Sequence, residues 1–268
     1  MNNGLKLIIQ LGMCLAAGCI VTGNALAQVY YASAAPKQKP KPEPPAGSLL
    51  SAAPDYSQWI INFTYAEDEQ KTGDGAPTPT PFEAEQRMRR PRKILMTKTK
   101  DIMREDTVLV NGKQVERWYN GKTQYFRPPG QTTWFMSSSA TRDIYAVESL
   151  PPSGFRDLEL VTAANYSGIG KYNKIDCLVF VPGGSSTLNL SDAKPQNIDS
   201  LLETLNQVVL VDLATRLPIL MRNHGETRTY TFLPAPPGML TLPDDLVSQL
   251  KKGAEGARRL VQAAARPY

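Results

Sequence analysis

Between Thr107 and Phe126 the chain reads TVLVNGKQVERWYNGKTQYF, and the tripeptide Asn-Gly-Lys occurs twice within it, at Asn111 and at Asn120. Asn-Gly between strand-like runs favours a two-residue type I′ hairpin, because both central residues then need positive φ and Asn and Gly tolerate it best. The spacing therefore predicts a three-stranded antiparallel meander. Pairing Val110 with Lys113 and Tyr119 with Lys122 puts Val108, Val115 and Phe126 in one row and Asp106, Arg117 and Gln124 in the row beside it. An apolar row beside a polar one is expected of a sheet face that is part buried and part open to water or a ligand.

Alternation continues on both sides of this stretch. Trp59, Ile61, Phe63 and Tyr65 give a first strand with one aromatic face, and Arg92 to Lys100 a second. Residues 67–82, rich in Gly, Pro and acids without periodicity, read as an exposed loop. A short strand is expected at Thr132 to Met136, a short helix or turn over 138–150, and strands at Leu158 to Ala163 and Asp176 to Val181. Ser185 to Asn206 reads as a long polar insertion with a turn or two of helix near Ile198 to Leu205. Val208 to Val211, Leu217 to Asn223 and Glu226 to Leu233 make a second meander, turning at His224-Gly225, with Leu217, Ile219 and Met221 on the buried face opposite Phe232, Tyr230 and Arg228. Pro218 cannot donate to a ladder and belongs at a strand start or an edge. Pro243-Asp244-Asp245 opens a helix, with acids in its first turn and Leu246, Leu250, Ala254, Ala257 and Val261 along one side.

The N-terminus carries Lys6, an apolar run from Leu7 to Val21 and Ala25-Leu26-Ala27 before Gln28, the pattern of an export signal covering 1–27. Its run is short and broken by Gln10 and glycines, unlike a membrane span. Ala16-Ala17-Gly18-Cys19 resembles a lipobox with Ala where Leu is usual, so lipidation at Cys19 with tethering to a membrane stands as the lesser alternative to cleavage after Ala27. Residues 28–55 read as a Pro-rich, semi-rigid linker and 56–268 as a single β-rich domain. Loss of the signal lowers the net charge from +5 to +4 and leaves Cys177 as the one cysteine, so stability must come from a core and not from disulfides. A chain of this size buries roughly 70% of its unfolded surface, which suffices for one domain. No second membrane span is expected, and the expected compartment is the periplasm of a Gram-negative-type bacterium.

Chemistry-bearing residues are sparse. His224 is the single histidine and lies in a hairpin turn, where His tolerates positive φ; Cys177 sits in a strand as a small buried hydrophobe. One His and one Cys do not make a zinc site, and the acids at 67–69 and Asp74 lack calcium-loop spacing. Gly168-Ile169-Gly170-Lys171 lacks the remaining residues of a phosphate loop and reads as a turn. No catalytic residues, cofactor or metal are expected, although dispersed carboxylates leave glycoside hydrolysis open as an enzymatic alternative. Arg87 to Lys93, RMRRPRK, is the densest basic run, suited to anionic lipid or polymer and not to nucleic acid in an exported protein, or else simply a solvated strand edge.

The aromatic first strand, Arg-Pro-Arg-Lys entering the second, Val-Asn-Gly-Lys leading to Trp118-Tyr119, and Asp212-Leu213-Ala214-Thr215-Arg216-Leu217-Pro218-Ile219 before Tyr230-Thr231-Phe232 together resemble the periplasmic lipoprotein-carrier superfamily, the LolA-like and LppX-like proteins. The resemblance covers Trp59 to Leu233 and departs from the family in having a Pro-rich linker where a helix usually precedes the first strand. It implies a curved, unclosed antiparallel half-barrel with helices over a concave apolar face that encloses acyl chains. No ligand-contacting residue of the carriers maps onto this chain.

The expected fold is accordingly mainly β: about ten strands in one curved, unclosed antiparallel sheet with a C-terminal amphipathic helix. The expected function is an envelope binding or carrier protein that holds a lipid or lipoprotein acyl chain against the sheet. Trp59, Val115, Trp118, Phe126, Ile219, Tyr230 and Phe232 would form the apolar wall, and Arg89, Arg90, Arg92 and Arg117 would meet an anionic group. The alternative is a structural or assembly protein with a filled core that docks onto another envelope protein.

Overall fold

Alternating side chains and tight turns place the chain in a single twelve-stranded sheet. The structure is a computed structural model describing residues 42–66, 79–121, 123–137, 151, 153–183, 188, 190 and 195–264, with side chains described to residue 259. The expected signal, Cys19, most of the linker, the 67–78 stretch, the 138–150 stretch and the side chain of Val261 lie outside these residues.

In chain order the strands are β1 (Ser57–Tyr65), β2 (Pro91–Thr99), β3 (Ile102–Leu109), β4 (Gln114–Asn120), β5 (Thr123–Arg127), β6 (Phe135–Ser137), β7 (Tyr166–Tyr172), β8 (Ile175–Phe180), β9 (Gln196–Asn197), β10 (Gln207–Asp212), β11 (Pro218–Asn223) and β12 (Glu226–Leu233). The helices are α1 (Pro81–Met88), α2 (Asp199–Leu202) and α3 (Asp244–Ala264), with a 3₁₀ turn at Ala163–Asn165. The sheet runs β6-β5-β4-β3-β2-β1-β12-β11-β10-β8-β7-β9 and does not close, its ends being β6 and β9. Every pairing is antiparallel except that of β7 with β9. Two meanders thus meet where β12 returns beside β1, with Trp59 opposite Phe232 and Ile61 opposite Tyr230.

Turn chemistry sets the registers. His224 (φ 44°) and Gly225 (φ 85°) form a two-residue turn that pairs Asn223 with Glu226 and Met221 with Arg228, as the sequence leads one to expect. The first Asn-Gly behaves differently. Leu109 N–H donates to Lys113 C=O and Gly112 N–H to Leu109 C=O, so the loop is three residues long, with Gly112 at φ 77°. This is a turn followed by a left-handed glycine, the usual three-residue hairpin. The extra residue shifts the register by one, so Thr107, not Val108, faces Val115. Asn120 pairs with Thr123, so the second loop begins at Gly121 and Arg117 faces Phe126. Since a one-residue slip exchanges the faces, Asp106 and Val108 lie on the side of the sheet away from Val115 and Phe126.

The first face carries a continuous row Phe232, Trp59, Met96, Glu105, Arg117, Phe126 and Phe135 across seven strands. Its core continues through Tyr166, Phe180, Val209 and Met221. This face is covered by irregular chain: Leu49, Leu50 and Ala53 from the end of the expected linker, and Phe155 and Leu158 from the stretch after residue 151. Ala53 N–H donates to Ser153 C=O, tying the two covering segments together. Leu158 to Ala163 is therefore cover and not a strand. The second face has two separate cores. Cys177, Val179, Leu210 and Leu220 are covered by Leu188, Leu190, Ile198 and Leu202, whereas Trp118 and Trp134 are covered by Leu246 of α3.

Gly168-Ile169-Gly170-Lys171 belongs to β7 and not to a turn; the turn is Asn173-Lys174, both at positive φ. A Cβ at Gly168 would lie 2.8 Å from Leu190 Cβ, and one at Gly170 2.9 Å from Ile198 Cδ1, so these glycines let the covering segment approach the strand. Helix α1 replaces the end of the expected loop. Thr80 caps it, accepting from Glu83 N–H while Glu83 accepts from Thr80 N–H, and Pro81 occupies the first turn.

Candidate functional site

The register of β3 and β4 brings a run of charged residues onto both faces of the sheet. On the first face Glu105 lies directly opposite Arg117, and Met103 opposite Tyr119. Glu105 is 1% exposed and accepts four hydrogen bonds. Its Oε1 accepts from the Thr107 hydroxyl (2.8 Å) and from Arg117 Nη1, and its Oε2 from the Tyr119 hydroxyl (2.6 Å) and from Arg156 Nη2 (3.0 Å). Tyr119 in turn accepts from Arg156 and from Gln124 (3.3 Å). The carboxylate has no further room for a donor, since two oxygens offer about four lone-pair directions.

Burial alone would push the Glu105 carboxyl up. Arg117 and Arg156 beside it, with the Tyr119 and Thr107 hydrogen bonds, outweigh that and hold it down at about 2. Burial, and then the Glu105 charge, push the Tyr119 phenol well above its ordinary value. The Arg156 guanidinium, though desolvated, is kept charged by Glu105 and Tyr119. Glu105 is therefore a carboxylate and Arg156 a guanidinium in the neutral range, while Tyr119 stays a neutral phenol.

A cavity of about 260 Å³ opens over this cluster, lined by Gln86, Arg89 and Arg90 at the end of α1, Pro91 and Ile94 of β2, Glu105, Thr107 and Leu109 of β3, Arg117 of β4, and Arg156 of the covering segment. Four arginines and one glutamate are among its lining residues. The end of α1 is held in place by two backbone bonds to the β3–β4 loop, Val110 N–H to Arg90 C=O (2.9 Å) and Asn111 N–H to Met88 C=O (3.1 Å). Arg90 lies over the Tyr65 ring at 5.2 Å, while Arg89 reaches Glu85 of its own helix. Next to this cavity a slot of about 40 Å³ runs among Ile61, Phe63, Ile94, Met96 and Tyr230, sharing Glu105 and Arg156 with it. Arg228 also lines the slot, bonded to Asp157 and Glu226 and stacked over Phe63.

Of the eleven candidate residues, Trp59, Val115, Phe126, Tyr230 and Phe232 share the first face with Arg117, and Arg89 and Arg90 line the cavity. Three candidates lie elsewhere. Trp118 is on the second face under α3, donating from Nε1 to Glu116 (2.9 Å), because neighbours along a strand alternate sides. Ile219 falls at the bulge where Leu210 pairs with Leu220 but Val211 with Pro218, and it packs against the second-face core. Arg92 is exposed at the Pro91/Lys93 bulge and does not line the cavity. Glu105, Thr107, Tyr119 and Arg156 join the site without having been singled out from sequence. The apolar wall also lacks the C-terminal helix, which covers Trp118 and Trp134 instead; Phe155 fills the space against Trp59, Tyr230 and Phe232, with ring centroids 5.4, 6.2 and 6.2 Å away.

The second face carries a larger, polar groove of about 460 Å³, lined by Lys93, Arg104, Asp106, Gln114, Glu116 and Arg127 among others. Four of its charged side chains form one network: Arg104 with Asp106 (2.9 Å) and Glu116 (3.6 Å), and Arg127 with Glu116 and, outside the lining, Asp245 (3.0 Å). Cys177 is buried, its Sγ donating to Gly170 C=O (3.4 Å); burial and the Asp176 charge push its thiol up to about 12. Among the described residues no three His, Cys, Asp or Glu side chains are grouped to hold a metal ion, and no helix is long and apolar enough to cross a membrane.

No protein-family model, curated protein or solved structure matches the chain.

Proposed function

We propose that this chain is a non-enzymatic binding protein of the bacterial envelope, acting in the manner of the lipoprotein carriers its sequence resembles. Its ligand is an amphiphile whose anionic head group sits among Arg89, Arg90, Arg117 and Arg156. The observation that supports this reading is the gathering of basic side chains at one cavity: Arg89, Arg90, Arg117 and Arg156 line it, beside a Glu105 carboxylate whose acceptor positions are already filled. Guanidinium forks suit the paired oxygens of a phosphate or carboxylate. The apolar part of the ligand would run along Ile61, Ile94 and Met96, gaining roughly 25 cal/mol per Å² removed from water.

The slot of about 40 Å³ holds little more than one water's share of volume, about 30 Å³. A full acyl chain would therefore enter only if Phe155 withdrew from Trp59, Tyr230 and Phe232. That same packing supports the second reading, an envelope assembly protein with a filled core. Native mass spectrometry of protein purified from a bacterial periplasm, with organic extraction of the sample, separates the two. A co-purifying anionic amphiphile at fixed stoichiometry, lost in the Arg89→Glu/Arg90→Glu variant, supports the first. A mass that stays ligand-free when fatty acids and lysophospholipids are added overturns it in favour of the second.

A further inference from the structure

Residues 153–158 cover the first face without joining the sheet. Among the described residues no backbone hydrogen bond links them to a strand. Ser153 C=O accepts from Ala53 N–H of the other covering segment (2.8 Å), while Gly154 N–H and Leu158 C=O bond within their own stretch, to Pro151 (2.8 Å) and Val161 (3.0 Å). Side chains hold the segment down. Phe155 packs among Trp59, Tyr230 and Phe232, Arg156 donates to Glu105 and Tyr119, Asp157 accepts from Arg228 (2.6 Å), and Leu158 joins the core. Gly154 (φ 81°) and Asp157 (φ 58°) bracket Phe155 and Arg156 with left-handed backbone. A segment with so few backbone bonds to its surroundings opens at a lower free energy than the strands beneath it.

Both ionic contacts are lopsided in the same sense. If Arg156 leaves, Glu105 keeps Arg117, Thr107 and Tyr119; if Asp157 leaves, Arg228 keeps Glu226 and the Phe63 ring, and the exposed Asp157 returns to water. Breaking a buried pair is costly when it leaves a charge uncompensated, and lifting this segment leaves none on the sheet. Arg156 is also incompletely bonded where it sits, since its Nε is buried with no hydrogen-bond partner. A phosphate or carboxylate would take Nε and Nη2 together as a fork, whereas Glu105 takes Nη2 alone.

Arg156 lines both the cavity and the slot, and Gly154 lines the slot as well. We propose that residues 153–158 are a strap that lifts as a unit, drawn off when an anion in the cavity takes Arg156 from Glu105, and that an alkyl chain then enters where the Phe155 ring stood. The lifting is a property of the free protein; its use by a ligand rests on the head-group reading above.

The test is thiol labelling of Leu158→Cys, with the native Cys177, buried under the other face, as internal reference. In the free protein the introduced thiol is expected to react much faster than Cys177, at a rate that low urea leaves nearly unchanged, because lifting the strap exposes little surface. Asp157→Asn, which tolerates the same left-handed backbone, should speed that reaction on the order of fivefold and leave Cys177 alone. In the unsubstituted chain the Ala53 N–H, bonded to Ser153, should exchange with solvent ahead of the strand amides, which reads the same opening if Leu158→Cys loosens the domain. Dodecyl phosphate, taken to saturation by calorimetry, should speed labelling further. Equal rates and equal urea dependence for the two thiols, no effect of Asp157→Asn, or Ala53 exchange no faster than the strands would overturn the strap. Binding of dodecyl phosphate that leaves labelling unchanged would overturn its coupling to the ligand. Absence of binding overturns the head-group reading, while the ligand-free rates still decide the strap.

Discussion

Glu105 and Arg117 face each other directly across β3 and β4, both on the aromatic face and both nearly excluded from water, with side-chain exposures of 1% and 7%. Arg156 approaches the same carboxylate from the covering segment, so one buried anion ties two sheet strands to the chain that covers them. Removing it would leave two guanidiniums without their counter-charge. Glu105→Gln is expected to destabilise the protein by about 3–5 kcal/mol in urea unfolding, and adding Arg117→Met should recover part of the loss. Additive losses would show that the pair is not coupled.

Acid should act through the same carboxyl. Its pKa is held at about 2, below its ordinary value of 4.5, so it binds a proton more readily in the unfolded chain. Its contribution is therefore complete above about pH 4.5 and is lost as pH falls toward 2. Stability of the wild type should decline across that window, and the decline should be shallower in Glu105→Gln. Parallel acid limbs in the two proteins would count against an ionised Glu105.

Phe155 is 2% exposed and touches three aromatic rings. Phe155→Ala should cost about 3–5 kcal/mol by leaving a cavity. It should also lengthen the alkyl chain that an anionic amphiphile can carry into the site. Calorimetric titration with alkyl phosphates of increasing length would read this as tighter binding of the longer members in the variant. Unchanged length dependence would separate Phe155 from ligand accommodation.

Neither His224 nor Cys177 should carry chemistry. His224 holds φ 44° in a turn, so His224→Asn should leave the melting temperature nearly unchanged, whereas His224→Val, β-branched at a left-handed position, should cost on the order of 1–3 kcal/mol. The buried Cys177 thiol, pushed up to about 12, should stay unmodified by a thiol reagent in the native protein and react on unfolding. Rapid labelling of the folded protein would show that the segment over β8 opens readily.

The strands and the terminal helix follow from period-2 and period-3.6 patterns strong enough to survive packing, as in β1, β12 and α3, whereas the unclosed form of the sheet was implied by the family resemblance and not by any pattern. Register did not follow as readily. A two-residue and a three-residue loop both use Asn-Gly, and Leu109 to Lys113 chose the longer, which moved Glu105 onto the face that the shorter would have given to Asp106. Thr80-Pro81-x-Glu83 announces α1 and was readable as a capping box. Arg156 was not readable, because its stretch has no periodicity and only tertiary packing carries it to Glu105. Gly168 and Gly170 look like turn residues but serve close approach, a distinction that depends on Leu190 and Ile198.

The most direct measurement compares two single-chain amphiphiles of equal chain length, dodecyl phosphate and dodecyl maltoside, by isothermal titration below their micelle concentrations. If the arginine-lined cavity is a head-group site, the phosphate binds at one per chain, weakens with salt and is lost in Arg89→Glu/Arg90→Glu, while the maltoside binds far more weakly. Equal affinity for both, or no saturable binding of the phosphate, would contradict the assignment.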